Sequence, residues 1–326
     1  MAEITLLEAI TQALAYEMQH DETVILLGED IGKDGGVFRA TQGLIDQFSP
    51  ERVRDTPLAE SMIAGLAIGM ATQGLKPVAE FQFMGFSYPA LDQIINHAAR
   101  FRNRTRGRLT CPLVFRMPFG CGIHAPEHHS ESTESLYAHI PGLRVVIPSS
   151  PLRAYGLLLA AIRDPDPVIF LEPARLYRWA KQDVPNNGKA LPLDRCFILK
   201  EGTDITIVTW GAMLKETWSA VKKLTDLRIS IELIDVATIK PLDINTILTS
   251  VEKTGRCIIV HEAAFTGGVG ADISAQIAEQ CLLFLKAPVK RITGFDTIVP
   301  YARLEKIYLP NEQEIINTVN EVMEFA

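Results

Sequence analysis

Three stretches of the sequence carry side chains that could do chemistry. "DTPLAESMIAGLAIG" (55–69) sets one acid, Glu60, at the mouth of a run of small and apolar residues. "LLGED" (26–30) closes an apolar run with Glu29 and Asp30, and "GIHAPEHHSES" (122–132) gathers His124, His128 and His129 between polar residues. A carboxyl partly withdrawn from water has its pKa raised toward values useful for proton transfer, and histidine titrates near neutral pH unaided. Proton transfer is therefore the chemistry these residue types offer. Each also has a plain structural account. The helix dipole favours a carboxylate near a helix N-terminus by about 0.3–1 kcal/mol, Glu29 can cap a turn, and a loop histidine can simply face solvent. Thr56 followed by Pro57 has the form of an N-cap with proline at the first helical position. A capping box would then want its acid three residues after the threonine, whereas Glu60 stands four after it.

The elements that must position these residues follow from periodicity. Residues 5–20 repeat apolar side chains at helical spacing (Leu6, Ile10, Ala13, Leu14, Met18), and "TVILLGED" then switches to a short continuous apolar run. "KPVAEFQF" (76–83), "CPLVFRMP" (111–118), "LRVVIP" (143–148) and "PVIFLE" (167–172) are further runs of the buried-strand type, separated by helical stretches at 87–103 and 151–163. This alternation predicts an α/β fold, a mostly parallel sheet with helices on both faces. The aperiodic "WAKQDVPNNGKALPLDRC" suits a linker. Alternation resumes at "DITIVTWG" (204–211) and continues through "RISIELID", "RCIIVHE" and "VKRITG", with helices near 213–226, 243–253, 268–285 and 311–325. Two parallel-sheet domains are expected, 1–180 and 199–326, joined by 181–198. In an open parallel sheet, ligands bind in loops beyond the carboxyl ends of strands, and both Glu29 and the histidine segment follow predicted strands.

Composition narrows the function classes. The 326 residues are 47% hydrophobic and 22% charged, enough for a sizeable core. A net charge of −7 argues against nucleic-acid or anionic-membrane surfaces; the local "RFRNRTRGR" (100–108) reads as a solvated helix end or a contact for an acidic partner. Five scattered cysteines without Cys-x-x-Cys spacing suit reduced thiols in a cytoplasmic or matrix-like compartment. The N-terminal stretch lacks the pattern of a signal peptide, and no segment approaches a membrane span. The three histidines could be imagined as a zinc cluster, but no helix fixes their spacing and no Cys or Asp stands in ligand register. "KDGGVF" (33–38) looks like a phosphate loop, yet no Gly-Lys-Ser/Thr follows and it is too short for a dinucleotide fingerprint, which disfavours a nicotinamide- or flavin-binding protein.

Taken in order, "LLGEDIGKDGGVF", "DTPLAE", "EFQFMGF", "HAPEHHSES", "PGLRVVIPSSP", "PLD" and "HEAAFTGG" resemble the β subunit of the thiamine-diphosphate-dependent decarboxylating component of 2-oxo acid dehydrogenase complexes. The resemblance spans essentially the whole chain. It is nearest to the bacterial pyruvate enzyme, with the branched-chain 2-oxo acid and acetoin enzymes as alternatives; a non-catalytic scaffold of the same fold is a further one. It implies a pyrimidine-binding domain, a transketolase-like C-terminal domain, an α2β2 heterotetramer, and thiamine diphosphate held between subunits. Magnesium would be bound by the α subunit, since the Gly-Asp-Gly that places its ligands does not occur here.

The resemblance also implies residue roles. The family glutamate at Glu60 hydrogen-bonds a ring nitrogen of the pyrimidine, the contact through which the cofactor's amino group becomes basic enough to deprotonate the thiazolium carbon. Leu58, Gln82 and Phe86 match positions lining the pyrimidine pocket, although strand-end and helix-start packing explains them as well. His129 matches a histidine near the thiazolium that can give a proton to the lipoyl group of the acyltransferase core. Glu29 matches an acid along a water-filled passage between active sites. Backbone carbonyls at the positions of Leu113, Ala161, Asp164 and Asp166 hold potassium in some relatives; a turn built on Asp-Pro pairs accounts for these residues without an ion. Relatives generally carry arginine at the position of Ala237. Acids near the C-terminus, here Glu321 and Glu324, dock the acyltransferase in some.

Overall fold

The computed structural model describes residues 3–325; Met1, Ala2 and Ala326, at the ends of the two expected domains, lie outside the described residues. The chain divides into two compact units. One comprises the residues up to Phe119 together with Leu136–Leu193, the other Gly120–Ser135 and the residues from Asp194 on. The histidine segment thus belongs to the second unit, although it lies in sequence within the first.

In the first unit the apolar runs become parallel strands in the order Arg144–Val146, Val168–Pro173, Val114–Phe119, Lys76–Glu80, Val24–Gly28, Val53–Asp55. Val24–Gly28, Val114–Phe119 and Val168–Pro173 are buried along their whole length, which is why they read as continuous hydrophobic runs rather than alternating ones. Helices Leu6–His20 and Pro151–Arg163 pack on each other. Thr5 caps the first, accepting from the Glu8 N–H at 3.3 Å while Glu8 Oε2 accepts from the Thr5 N–H at 2.7 Å. Ser150 caps the second, with Pro151 in its first turn. A short strand Glu3–Thr5 pairs antiparallel with Lys181–Asp183, inside the stretch expected to be linker.

Two local expectations are corrected. The helical stretch at 87–103 is broken into tight, wide and tight turns (Met84–Ala90, Gln93–His97, Ala98–Arg100) before a single α-turn, Phe101–Arg104. Pro89 inside it removes one donor, and mixed turns of this kind are a known feature of functional segments. Thr56 is not an N-cap: its N–H donates to the Gly28 carbonyl at 2.9 Å, extending the sheet, and the helix starts only at Glu60 with Ala59 as its cap.

The second unit carries a five-stranded sheet in the order Lys290–Gly294, Cys257–Ala264, Ile205–Thr209, Ile231–Asp235, Phe197–Lys200. All pairs are parallel except the last, where the edge strand Phe197–Lys200 runs antiparallel. Helices Leu214–Asp226, Ile244–Thr254, Val269–Cys281 and Glu312–Glu324 accompany it. The "PLD" acid has a local job, because Asp243 caps Ile244–Thr254 and also accepts from the Cys196 N–H at 3.1 Å. Ala237 is fully buried with φ 53°. No helix of the described residues is long and apolar enough to cross a membrane, and the five cysteines are unbridged.

Candidate active site

Three adjacent parallel strands of the first unit end in register, Gly28 opposite both Asp55 and Glu80. Whatever follows their carboxyl ends is therefore brought together: Glu29 after the first, Leu58 and Glu60 after the second, Gln82 and Phe86 after the third. Gly28 makes the convergence tight, since a Cβ there would stand 2.8 Å from the Glu80 carbonyl. Glu60 is half-buried on the first turn of helix Glu60–Thr72, whose Ile63, Ala64, Ala67, Ile68 and Ala71 face the core while Met62 and Leu66 stay exposed. Leu58 is 79% exposed. Phe86 is half-buried edge-on to Phe83, with ring centroids 5.5 Å apart.

Glu29 is buried, and its carboxyl is pushed up to about 7, first by that burial and then by the negative charges of Glu60 and Asp30. Glu29 Oε1 and Thr56 Oγ1 are buried oxygens without a hydrogen-bond partner. Such groups are rare in folded proteins and call for an explanation. The neighbouring glycine loop is accounted for by structure alone. Asp55 accepts from the Gly32 N–H at 2.6 Å and the Lys33 N–H at 3.2 Å, and Thr41 Oγ1 donates to the Ile31 carbonyl at 2.6 Å. Those amides, of Gly32 and of Lys33 at the start of "KDGGVF", face a carboxylate.

Beneath this edge lies a cluster absent from the expectations. Arg116, 1% exposed, donates from Nε and Nη2 to the two oxygens of Glu172 at 2.6 and 2.9 Å and from Nη1 to Glu80 at 2.6 Å, while Tyr177 donates to Glu172 at 2.6 Å. Burial pushes the Glu80 carboxyl up against the pull of Arg116. The signal was available as a single charged residue inside each of two otherwise apolar strands, Arg116 and Glu172, and as the acid that ends the strand Lys76–Glu80.

In the second unit, segment 120–135 holds the histidines. His124 (φ 62°) and His128 are exposed, whereas His129 is half-buried on a short turn, Glu127–His129, with its N–H donating to the Pro126 carbonyl at 2.9 Å. Among the described residues no group of three or more His, Cys, Asp or Glu is placed to hold a metal ion. Glu134 is fully buried and its carboxyl is pushed up to about 7 by that burial; Trp210 Nε1 donates to it at 3.1 Å. His261, also fully buried, stacks on Trp210 with centroids 5.0 Å apart.

The positions matched to a potassium site sit in the first unit. The Leu113 carbonyl accepts from the Val168 N–H at 3.0 Å and the Ala161 carbonyl from the Asp164 N–H at 3.3 Å. The carboxylates of Asp164 and Asp166 pair with Arg144 at 2.9 Å and Arg102 at 2.6 Å. Arg102 of the basic cluster is thereby occupied. In the second unit Glu321 accepts from Lys290 at 2.5 Å, and Glu324 is exposed.

Comparison with known proteins agrees with this architecture. Residues 2–180 match the family model described as transketolase, pyrimidine binding domain, and residues 194–315 that described as transketolase, C-terminal domain. The chain is 48% identical over 325 residues, the whole of both chains, to the pyruvate dehydrogenase E1 component subunit beta of Bacillus subtilis. It is 50% identical to that of Acholeplasma laidlawii over 97% of this chain and 96% of the relative, and 45% identical to that of Staphylococcus aureus over the whole of both. Among solved structures, a split gene transketolase described as an inactive beta4 tetramer superposes with a TM-score of 0.81 at 22% identity, covering 99% of each chain. At that identity the likeness is one of fold. Full-length identity near one half, together with the two domain matches, establishes that the chain belongs to the family of pyruvate dehydrogenase E1 component β subunits.

Proposed function

We propose that the chain is the β subunit of an α2β2 dehydrogenase that decarboxylates pyruvate with thiamine diphosphate and passes the acyl group to a lipoyl group on an acyltransferase core. The observation that carries this is the pair of carboxylates, Glu29 and Glu60, at the carboxyl edge of the pyrimidine-domain sheet. The edge suits an aminopyrimidine: two buried oxygens, Glu29 Oε1 and Thr56 Oγ1, lack partners, and such a ring brings both donors and acceptors. When bound, the cofactor supplies the electron sink that decarboxylation requires. Glu60 would share a hydrogen bond with a ring nitrogen of the pyrimidine. Glu29, at about 7, offers a second site that can take or release a proton near neutral pH. Phe86 offers an apolar face, Leu58 an apolar edge and Gln82 a polar one. His129 gives a proton to the incoming disulfide of the lipoyl group.

Magnesium and the diphosphate fall to the α subunit, because the sequence lacks Gly-Asp-Gly. A potassium ion at Leu113, Ala161, Asp164 and Asp166 would be held by main-chain oxygens, which suit a hard cation, since both aspartate side chains are tied to arginines. The test is reconstitution with the α chain. The heteromer is expected to turn over pyruvate in preference to 2-oxoisovalerate and acetoin, and neither chain alone to turn over any. Preference for another substrate would move the assignment within the family, and full activity of the β chain alone would refute it.

A further inference from the structure

Segment 120–132, part of the second unit, is drawn closed at a narrow neck, where the Gly120 N–H donates to the Glu131 carbonyl at 3.1 Å. Glu262, 5% exposed on strand Cys257–Ala264, stands at that neck. Its Oε1 accepts from Ser132 Oγ at 2.6 Å. The same oxygen lies so close to Gly120 that a Cβ there would come within 2.2 Å, at a φ of +92° that only glycine adopts freely. One carboxylate thus touches both ends of the loop. Trp210 fastens the chain two residues further on, through its bond to Glu134. Inside the loop, the His129 N–H and Ser130 Oγ both donate to the Pro126 carbonyl, at 2.9 and 3.2 Å, closing the turn that bears the imidazole just before the neck.

We propose that Glu262 is a positioning residue: it clamps the neck of loop 120–132 and so sets where the His129 imidazole stands for acyl transfer. A bond from a hydroxyl to a carboxylate is stronger than its neutral counterpart, and this one anchors the loop to a central strand rather than to another loop. The consequence for transfer rests on the role given to His129 above; the clamp does not.

The test uses the reconstituted heteromer carrying Ser132→Ala, Glu262→Ala or Glu262→Gln, the last retaining an oxygen that can accept from Ser132. Amide hydrogen exchange over 121–131 reports the clamp directly. Reductive acylation of an isolated lipoyl domain, set against 2-oxo acid consumption with an artificial electron acceptor, reports positioning. Ser132→Ala and Glu262→Ala are expected to speed loop exchange and to lower kcat for acylation about tenfold or more, with KM for the 2-oxo acid changed by less than about twofold. Glu262→Gln is expected to restore most of both. Unaltered loop exchange in Ser132→Ala and Glu262→Ala, or a Glu262→Gln as impaired as Glu262→Ala, overturns the proposal. Full acylation by His129→Ala would instead refute the role of His129, and loop exchange would still decide the clamp.

Discussion

Replacing Glu134 with glutamine should stabilise the protein in alkali and leave it nearly unchanged in acid. The carboxyl has an ordinary value of 4.5 and stands at about 7 in the fold because it is buried. Each tenfold in proton affinity is worth about 1.4 kcal/mol, so ionising Glu134 in the fold costs about 3 kcal/mol more than in the unfolded chain. Below pH 4.5 both states hold the proton and no penalty exists. As pH rises the unfolded chain ionises first, the folded protein binds more protons, and stability falls until the penalty is complete above about pH 7. Glutamine never titrates, yet keeps an oxygen for the Trp210 N–H. Urea unfolding followed by tryptophan fluorescence reads the difference. With a slope near 2 kcal/mol per molar, Glu134→Gln should raise the midpoint by about 1.5 M at pH 8 and by almost nothing at pH 4.5. A gain independent of pH, or a loss at pH 8, would refute the burial argument.

Arg116→Met should cost about 3–5 kcal/mol, because Glu80 and Glu172 would then face each other buried and unneutralised; a urea midpoint near wild type at pH 7 would contradict this. His261 is held neutral, pushed down to about 3 by burial and then by Arg291. Its contribution is present above pH 6.5 and lost as pH falls toward 3, so His261→Leu should lose about 2 kcal/mol less than wild type between pH 6.5 and pH 5, read from the same unfolding curves. Potassium in place of choline should raise the thermal midpoint if main-chain oxygens at Leu113, Ala161, Asp164 and Asp166 hold the ion; equal midpoints would remove that site.

Much of the fold was legible because a strand buried on both faces must be apolar throughout, as Val24–Gly28 and Val168–Pro173 are. Short or edge elements were not: Val53–Asp55, the antiparallel Phe197–Lys200 and helix Ala302–Tyr308 carry too few buried residues to impose a period. The cap at Thr56 misled because a threonine before proline is equally at home extending a strand. Glu29, Glu60 and His129 could be singled out from local text. The Ser132–Glu262 bond joins residues 130 positions apart and the Glu134–Trp210 bond residues 76 apart, so only the folded sheet brings them together. The buried arginine cluster is an intermediate case, visible as misplaced charges whose partners the strand order then supplies.

The central claim is that Glu60 activates the cofactor. In the heteromer with thiamine diphosphate bound, the rate of hydrogen–deuterium exchange at the thiazolium carbon tests it directly. Glu60→Gln should leave assembly intact and slow that exchange by about 10²-fold or more. Exchange at the wild-type rate in a correctly assembled Glu60→Gln heteromer would contradict the claim.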